Sequence, residues 1–290
     1  FKERLVMSFD YFRNTTKDQL MTIPLPASTG SEDIVVNFGE NQNVGYDFSV
    51  AGQVIRSKNW AWTTVINGSH VKDRIKQISD KLKNTAYQLE EDNPLKLRFR
   101  EGGSQYDIYA VRSAGIDPAT GQEIFINKNG EYTFKYDAED EVVVGNTQPK
   151  LQGTWLNTLR YKGWSLNFVF SYTFGGDTYN KTLWEKVEDI DPRYNVDERA
   201  FTDRWKNPGD LSRYLAIKER RSTTPHNSER FVERLNELWL SSATLTYEFQ
   251  PKFLKRLGFK RLAVGVGVSD IVRFSTVKYE RGTSYPYCRT

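Results

Sequence analysis

The sequence predicts an all-β chain that forms part of a transmembrane antiparallel β-barrel, and three observations carry this prediction. Apolar and polar residues alternate over segments of about ten residues, the length that a tilted strand needs to cross a membrane. Aromatic residues stand at the ends of these segments. Very short connections alternate with long, polar ones, as in barrels whose strands turn tightly on one side of the membrane.

The clearest predicted strand is Trp164–Phe174. Every second residue of this segment is aromatic or leucine, and the residues between them are polar except Val169. Leu151–Tyr161 alternates in the same way, so the short turn before Trp164 predicts a hairpin. Further segments repeat the pattern and bring the prediction to about seven strands: Arg4–Phe12, Asn43–Ile55, Trp60–Ser69, Trp239–Phe249 and Leu262–Ser269.

The connections between these strands fall into two classes. The predicted short links are Arg56–Asn59, Tyr161–Gly163 and Gln250–Gly258, and the predicted long loops are Asn14–Gln42, Lys72–Gln148 and Tyr179–Leu235. Inside the long loops, Val111–Ile126 predicts a small hairpin around a turn-rich centre. Thr182–Glu188 and Val196–Lys206 have helix-like spacing.

Composition excludes several functional classes. The 290 residues have a mean hydropathy of −0.64, and no apolar run approaches the roughly 18 residues that a spanning helix needs. The 41 basic and 37 acidic residues give a net charge of +4, which is too balanced for a nucleic-acid surface. The one cysteine, Cys288, cannot form an internal disulfide.

A soluble, secreted β-sandwich is the main alternative fold. Its strands alternate in the same way, but their apolar face forms the protein core and does not face lipid. Such a domain could bind carbohydrate through surface aromatic residues. Periodicity does not separate the two folds, whereas the unequal connections and the terminal aromatic residues favour the barrel.

Several segments occur in an order and spacing that resemble one known family. They are Gly145–Pro149 followed by Gly153, Tyr161–Gly163, Phe174–Asp177, Asp203–Asp210, Glu229–Glu233 running into Leu238–Phe249, and Ser269–Phe274 with Tyr285–Thr290. Nearly the whole chain thereby resembles the C-terminal part of SusC/RagA-type TonB-dependent outer-membrane transporters. Two segments depart from the family pattern: Asp270–Val272 replaces the usual Asn-Leu-Phe, and Asn43–Asp47 replaces Asn-Lys-Gly-Val-Glu.

The resemblance implies a 22-stranded barrel in the outer membrane of a Gram-negative bacterium. Residues 1–290 would be the C-terminal part of this barrel, with the plug domain and the early strands upstream. It further implies a SusD-like surface lipoprotein as a lid, TonB as the energy-transmitting partner, and import of oligosaccharides or peptides. An enzyme is not expected. A passive, porin-like channel without a plug remains a third interpretation.

Five aromatic residues in the long loops are the candidate site residues: Tyr179, Trp184, Tyr194, Trp205 and Tyr214. Exposed aromatic side chains stack on sugar rings and anchor protein interfaces, so these residues could contact the cargo or the lid. The alternative is that they pack the loops against one another.

No cofactor is expected, although one acidic run could supply oxygen ligands to Ca²⁺: Glu185, Glu188, Asp189, Asp191, Asp197 and Glu198. This run lacks an EF-hand pattern, so a solvated loop is favoured. Arg220, Arg221 and Arg230 are also predicted to lie in solvent. His70 and His226 are too far apart in sequence to indicate a zinc site.

Overall fold

The computed structural model describes residues 4–24, 33–80, 99–190, 193, 196–217, 227–249 and 258–277. None of the helical segments in this part of the chain is long and apolar enough to span a bilayer. The chain divides into two compact units. The first, here called the wall unit, comprises Phe1–Gln105, Gln148–Gly175 and Asn236–Thr276. The second, the loop unit, comprises Tyr106–Thr147, Gly176–Leu235 and Val277–Thr290.

Strands dominate the described chain. They are β1 (Leu5–Pro24), β2 (Asp33–Arg56), β3 (Trp60–Ile78), β4 (Asp107–Ile116), β5 (Glu123–Ile126), β6 (Tyr132–Thr133), β7 (Glu141–Asn146), β8 (Leu151–Tyr161), β9 (Trp164–Tyr179), β10 (Val232–Glu248) and β11 (Ala263–Ser275). The helical segments are short turns at Ala138–Asp140, Lys181–Leu183, Trp184–Glu188, Arg199–Thr202 and Glu229–Phe231.

The wall unit is built on one seven-stranded sheet with the order β1-β2-β3-β8-β9-β10-β11. The registered pairs β1–β2, β2–β3, β3–β8, β8–β9 and β10–β11 are all antiparallel. The seven predicted strands are therefore confirmed, and so are the short links after Arg56 and Tyr161. Each neighbour in the sheet is also the next wall strand in sequence, which is the meander that the alternating connections predict.

The register sorts the side chains of this sheet onto two faces. One row across five strands is polar: Ser8, Ser49, Asn67, Thr154 and Ser171. The neighbouring row on the opposite face is apolar: Met7, Val50, Ile66, Trp155 and Phe170. Side chains alternate along each strand, but the segregation is incomplete, because the next row on the polar face is apolar: Val6, Ala51, Val65, Leu156 and Val169.

The apolar face is open and is not a protein core. Met7 is 66% exposed, Phe9 67% and Val266 68%. A soluble sandwich would cover such residues with a second sheet, and monomeric soluble proteins rarely leave so large an apolar surface open. The exposed apolar face is the surface that a barrel presents to lipid, so the predicted transmembrane fold is confirmed and the sandwich is not.

Aromatic residues mark two levels on this face. At the short-turn level, Trp60 lies 4.4 Å from Tyr161, and Trp164 lies 4.7 Å from Tyr247, measured between ring centroids. The other level ends at Phe174, ten residues along β9 from Trp164. Ten residues at about 3.3 Å each, tilted by about 40°, span roughly 25 Å, the height of the apolar band of such barrels.

The predicted long loop Asn14–Gln42 is wrong. β1 and β2 continue as paired strands through Thr15 opposite Gln42 and as far as Pro24 opposite Asp33. Polar and apolar residues are mixed on this extension, with Leu20 and Val35 exposed and Val36 and Phe38 buried, so the alternation that reveals a spanning strand is absent. A small core of Val36, Phe38, Ile75 and Ile78, with Met21 and Phe99 packed against it, stabilises the extension.

The loop unit contains its own four-stranded sheet with the order β6-β5-β4-β7. The hairpin predicted within Val111–Ile126 is confirmed as β4 and β5, which pair antiparallel. Asp117 organises its turn by accepting hydrogen bonds from the Thr120 hydroxyl and the Ala119 backbone, and these bonds lower the pKa of its carboxyl group. The predicted helix within Thr182–Glu188 is observed, whereas within Val196–Lys206 only Arg199–Thr202 is helical.

Candidate functional site

A polar concavity of about 600 Å³ crosses five strands of the wall unit. Ten of its lining residues belong to the polar face of the sheet: Ser8, Asp10, Asp47, Ser49, Asn67, Ser69, Gln152, Thr154, Ser171 and Thr173. The sheet is thus concave on its polar side. This is the curvature of a barrel wall with a polar lumen and an apolar exterior.

Hydrogen bonds connect the polar side chains from strand to strand. The Ser49 hydroxyl donates to the Asn67 side-chain oxygen at 2.7 Å, and the Asn67 amide nitrogen donates to the Thr154 hydroxyl at 3.3 Å. Nearer the short turns, the Thr158 hydroxyl donates to the Asn167 side-chain oxygen at 2.8 Å. Hydroxyl and amide groups have further donors and acceptors beyond these bonds. The surface is therefore ordered and can still bond to a hydrated solute.

Asp10 and Asp47 are the only charged residues that line the concavity among the described residues. They are register partners on β1 and β2, so their side chains lie next to each other on the polar face. Both are exposed. This sector of the wall consequently carries negative charge that no lining lysine or arginine of the described chain offsets.

Two glycines allow the aromatic residues of the apolar face to pack closely against the sheet. A Cβ on Gly68 would lie 2.4 Å from the Phe48 ring, and a Cβ on Gly153 would lie 2.0 Å from the Asn67 carbonyl oxygen. The Tyr172 hydroxyl donates to that same carbonyl at 2.8 Å. Small residues here fix the rings across β2, β3, β8 and β9, and thereby the shape of the concavity behind them.

Two of the five predicted site aromatics are buried in the loop unit. Tyr214 is 2% exposed and belongs to the core of this unit with Leu183, Val187 and Phe231. Trp205 is 8% exposed, and its indole nitrogen donates to the Pro118 carbonyl at 2.8 Å. The expectation that these two rings are exposed platforms is wrong, because they fold the loops against one another.

The remaining three differ in placement. Tyr179 and Trp184 are half-buried and pack against the same core. Their contact with cargo or a lid stays a prediction. Tyr194 lies outside the described residues.

Arg230 is not solvated as predicted. Its guanidinium lies between two buried carboxylates, with nitrogen–oxygen distances of 2.9 Å to Glu123 and 2.8 Å to Glu188. The side chain of Arg230 is 12% exposed, and those of the carboxylates are 1% and 2% exposed. Burial opposes the charge of the guanidinium, but the two carboxylates outweigh it and raise the pKa of Arg230 above its ordinary value. Ser228 adds a hydroxyl hydrogen bond to Glu123.

Arg204 holds the helical part of the loop unit together. Its guanidinium donates to the carbonyls of Val187 and Glu188, each at 2.6 Å, and to those of Ala200 and Leu215 at 2.8 and 3.0 Å. These helical segments are too short to be stable alone. The buried guanidinium stabilises them because it donates hydrogen bonds to the carbonyls of four residues. Arg220 and Arg221 lie outside the described residues.

The acidic run is predicted to be a solvated loop, but two of its carboxylates are paired with arginines. Glu188 is buried against Arg230, and Asp197 forms an ion pair of 2.8 Å with Arg199 that lowers the pKa of the Asp197 carboxyl group. In the part of the chain that the structure describes, no group of three or more histidine, cysteine or acidic residues could hold a metal ion. Asp191 and His226 are outside that part.

The residues of the concavity are not among the site candidates that the sequence predicts. Their signal was present, because the alternation assigns Asp47, Ser49, Asn67, Ser69 and the serines of β9 to the polar face. What the alternation does not contain is the cross-strand register. Only the register brings Asp10 opposite Asp47 and aligns the polar row across five strands.

No family model matches the chain. Three curated proteins of Formosa agariphila are similar to 95% of it, each at 26% identity: TonB-dependent receptor P39 over 317 residues, P3 over 296 residues and P26 over 292 residues. The aligned region is 28–30% of each relative. The chain therefore spans about three tenths of the length of the curated relatives it matches.

Solved structures show the same fold. The structure of the RagAB peptide transporter matches 96% of the chain with a TM-score of 0.76 at 19% identity, and the match covers 30% of the solved chain. The RagAB peptide importer in its 'open-open' state gives a TM-score of 0.75 at 21% identity, with similar coverage of 96% and 30%. The chain thus has the fold of an outer-membrane β-barrel wall, and its resemblance to SusC/RagA-type TonB-dependent transporters is confirmed.

Proposed function

We propose that the whole protein imports a nutrient polymer across the outer membrane in a TonB-dependent manner. The residues described above would form part of the conduit wall and would not catalyse a reaction. The observation that carries this proposal is the two-faced sheet, which has an exposed apolar exterior and a hydrogen-bonded polar concavity. A hydrated solute can move along such a polar surface while the other face stays in lipid.

The proposal extends to the rest of the protein. Within the described residues, the seven-stranded sheet ends at β1 and β11 with no further strand paired to either, and a membrane-spanning sheet must close to satisfy such edges. We therefore propose that residues 1–290 form part of a larger barrel, of 22 strands by the resemblance, with a plug domain from upstream sequence. A SusD-like surface lipoprotein would close over the outer mouth, and TonB would contact the upstream region.

Oligosaccharides are the favoured cargo, because hydroxyl and amide groups dominate the polar concavity. Peptides are the second candidate, since the similar RagAB structures are described as those of a peptide transporter and importer. Either cargo requires no cofactor, and none is proposed. Tyr179 and Trp184 remain the proposed aromatic contacts for cargo or lid.

Energy-dependent uptake in the native host tests this function. Deleting the gene should abolish uptake of the cognate oligosaccharide or peptide, and restoring the full-length gene should recover it. Depleting TonB should have the same effect as the deletion. Uptake that persists without TonB but needs the gene would indicate a passive channel, and uptake unaffected by the deletion would refute the import function.

A further inference from the structure

The polar concavity contains carboxylates but no basic side chain among the described residues. Of its ten polar-face lining residues, Asp10 and Asp47 are acidic and the other eight are serine, threonine, asparagine or glutamine. None of the ten is apolar. The side chains of these ten residues are therefore either negatively charged or neutral and polar, and each of them can form hydrogen bonds.

Sheet stability does not account for the two aspartates. Like charges directly opposite each other on neighbouring strands are unfavourable, and Asp10 lies directly opposite Asp47. Both carboxylates are exposed, and neither makes a side-chain hydrogen bond or ion pair with another residue in the described part of the chain. Their charge consequently acts on whatever occupies the concavity, because carboxylates along a low-dielectric wall give it a negative potential.

This chemistry distinguishes between classes of polymer. Each sugar hydroxyl both donates and accepts, so a glycan can exchange partners along a surface of hydroxyl, amide and carboxylate groups. Sulfate or uronate groups would meet like charge here, with no guanidinium or ammonium group of the described wall to bind them. The aliphatic side chains of a mixed-sequence peptide would find no apolar side chain among these ten residues, and would contact only Phe48 and Tyr172 of the lining or the adjacent apolar row that contains Val65 and Leu156.

We propose that this sector of the wall selects uncharged, hydroxyl-rich chains, namely neutral oligosaccharides, over polyanionic glycans. This inference rests on the proposed import function and names the cargo class that the same surface admits. Asp10 and Asp47 are the specificity-determining residues of the sector.

The test measures uptake of hexasaccharides by host cells that carry the full-length transporter. The neutral probes are maltohexaose, cellohexaose and xylohexaose, and the anionic probe is hexagalacturonate, each with the same uncharged fluorescent label. The test variant is Asp10→Asn with Asp47→Asn, which keeps side-chain size and removes both charges. The control is Asp18→Asn, which removes a carboxylate on the outer extension of β1, away from the concavity. Immunoblots of outer membranes confirm equal amounts of folded transporter.

The wild type should import a neutral probe and discriminate against hexagalacturonate. In the double variant the ratio of anionic to neutral uptake should rise about three- to tenfold, because two nearby repulsive charges are gone. The control should keep the wild-type ratio.

Three results overturn the inference. Equal uptake of both probe classes by the wild type, or an unchanged ratio in the double variant, contradicts the selectivity while leaving import intact. Uptake of a defined mixture of neutral hexapeptides with no uptake of any glycan contradicts the cargo class. Uptake of every probe at the level of a gene-deleted strain also contradicts the cargo class, and it contradicts the import function itself if uptake of the cognate cargo is unaffected by the deletion.

Discussion

The environment of an aromatic residue is determined differently in the wall unit and in the loop unit. In the wall unit, Phe168 and Phe170 lie on the apolar face because side chains alternate along a strand, and their environment follows from position alone. In the loop unit, Tyr214 and Trp205 are buried by contacts between segments far apart in sequence. An aromatic residue in a long loop is therefore no indicator of a binding platform until the packing of that loop is known.

Charged residues show the same contrast. In the wall unit, Asp10 and Asp47 stay exposed on the polar face. In the loop unit, Arg230, Glu123 and Glu188 are buried together and substitute for a larger apolar core. The wall has lipid to stabilise its outer face, whereas the loop unit must supply its own interior.

The largest expected effect comes from removing Arg230 of the loop unit. Arg230→Met leaves Glu123 and Glu188 buried without their common partner, and breaking such a pair costs about 3–5 kcal/mol. Hydrogen exchange of the detergent-purified, full-length protein should show faster exchange at Trp184–Glu188 and Glu229–Phe231, with the wall strands unchanged.

Arg213→Met is the matched control for Arg230. Arg213 pairs with Glu233 at 3.0 Å, but its side chain is 62% exposed, so the loss should be below about 1 kcal/mol. Equal exchange in the two variants would show that the buried charge group does not hold the loop unit together.

A slightly smaller effect is expected for Tyr214→Ala. Removing a buried ring costs about 3 kcal/mol or more, so the loop unit should become sensitive to limited proteolysis. Leu211→Ala, at a side chain that is 91% exposed, should leave proteolysis unchanged. If Tyr214→Ala abolished cargo uptake but left the loop unit resistant to protease, Tyr214 would be a binding residue and the contrast with the wall would fail.

The smallest of these effects is expected in the wall unit, where the same substitution can be compared at two neighbouring residues on opposite faces. Arginine on the lipid face near the bilayer midplane costs about 2 kcal/mol or more, so Phe168→Arg should lower the unfolding free energy of the full-length barrel. Asn167→Arg, one residue away on the polar face, should cost much less because its side chain reaches water. Urea titration in lipid vesicles measures both, and equal losses would argue against two different faces.

The part of the structure that the sequence predicts also differs between the membrane-spanning strands and the rest of the chain. Trp164–Phe174 could be assigned as a spanning strand because lipid and water lie on opposite sides of it. The extension of β1 to Pro24 cannot be assigned in this way, because polar and apolar residues do not alternate along it. The sequence predicts a solvated Arg230, because its partners Glu123 and Glu188 are 107 and 42 residues away along the chain. The polar concavity was predictable strand by strand but needed the register to become a surface.

Site-directed spin labelling of neighbouring residues on β9 shows which face of the sheet contacts lipid. Cysteine is introduced as Phe170→Cys or Ser171→Cys into the full-length protein, with Cys288→Ser and any other native cysteines replaced, and collision rates are measured in lipid vesicles. We expect the label at residue 170 to collide preferentially with oxygen dissolved in lipid, and the label at residue 171 to collide preferentially with a water-soluble nickel complex. The same preference at both residues would contradict a wall with lipid on one face and a polar lumen on the other.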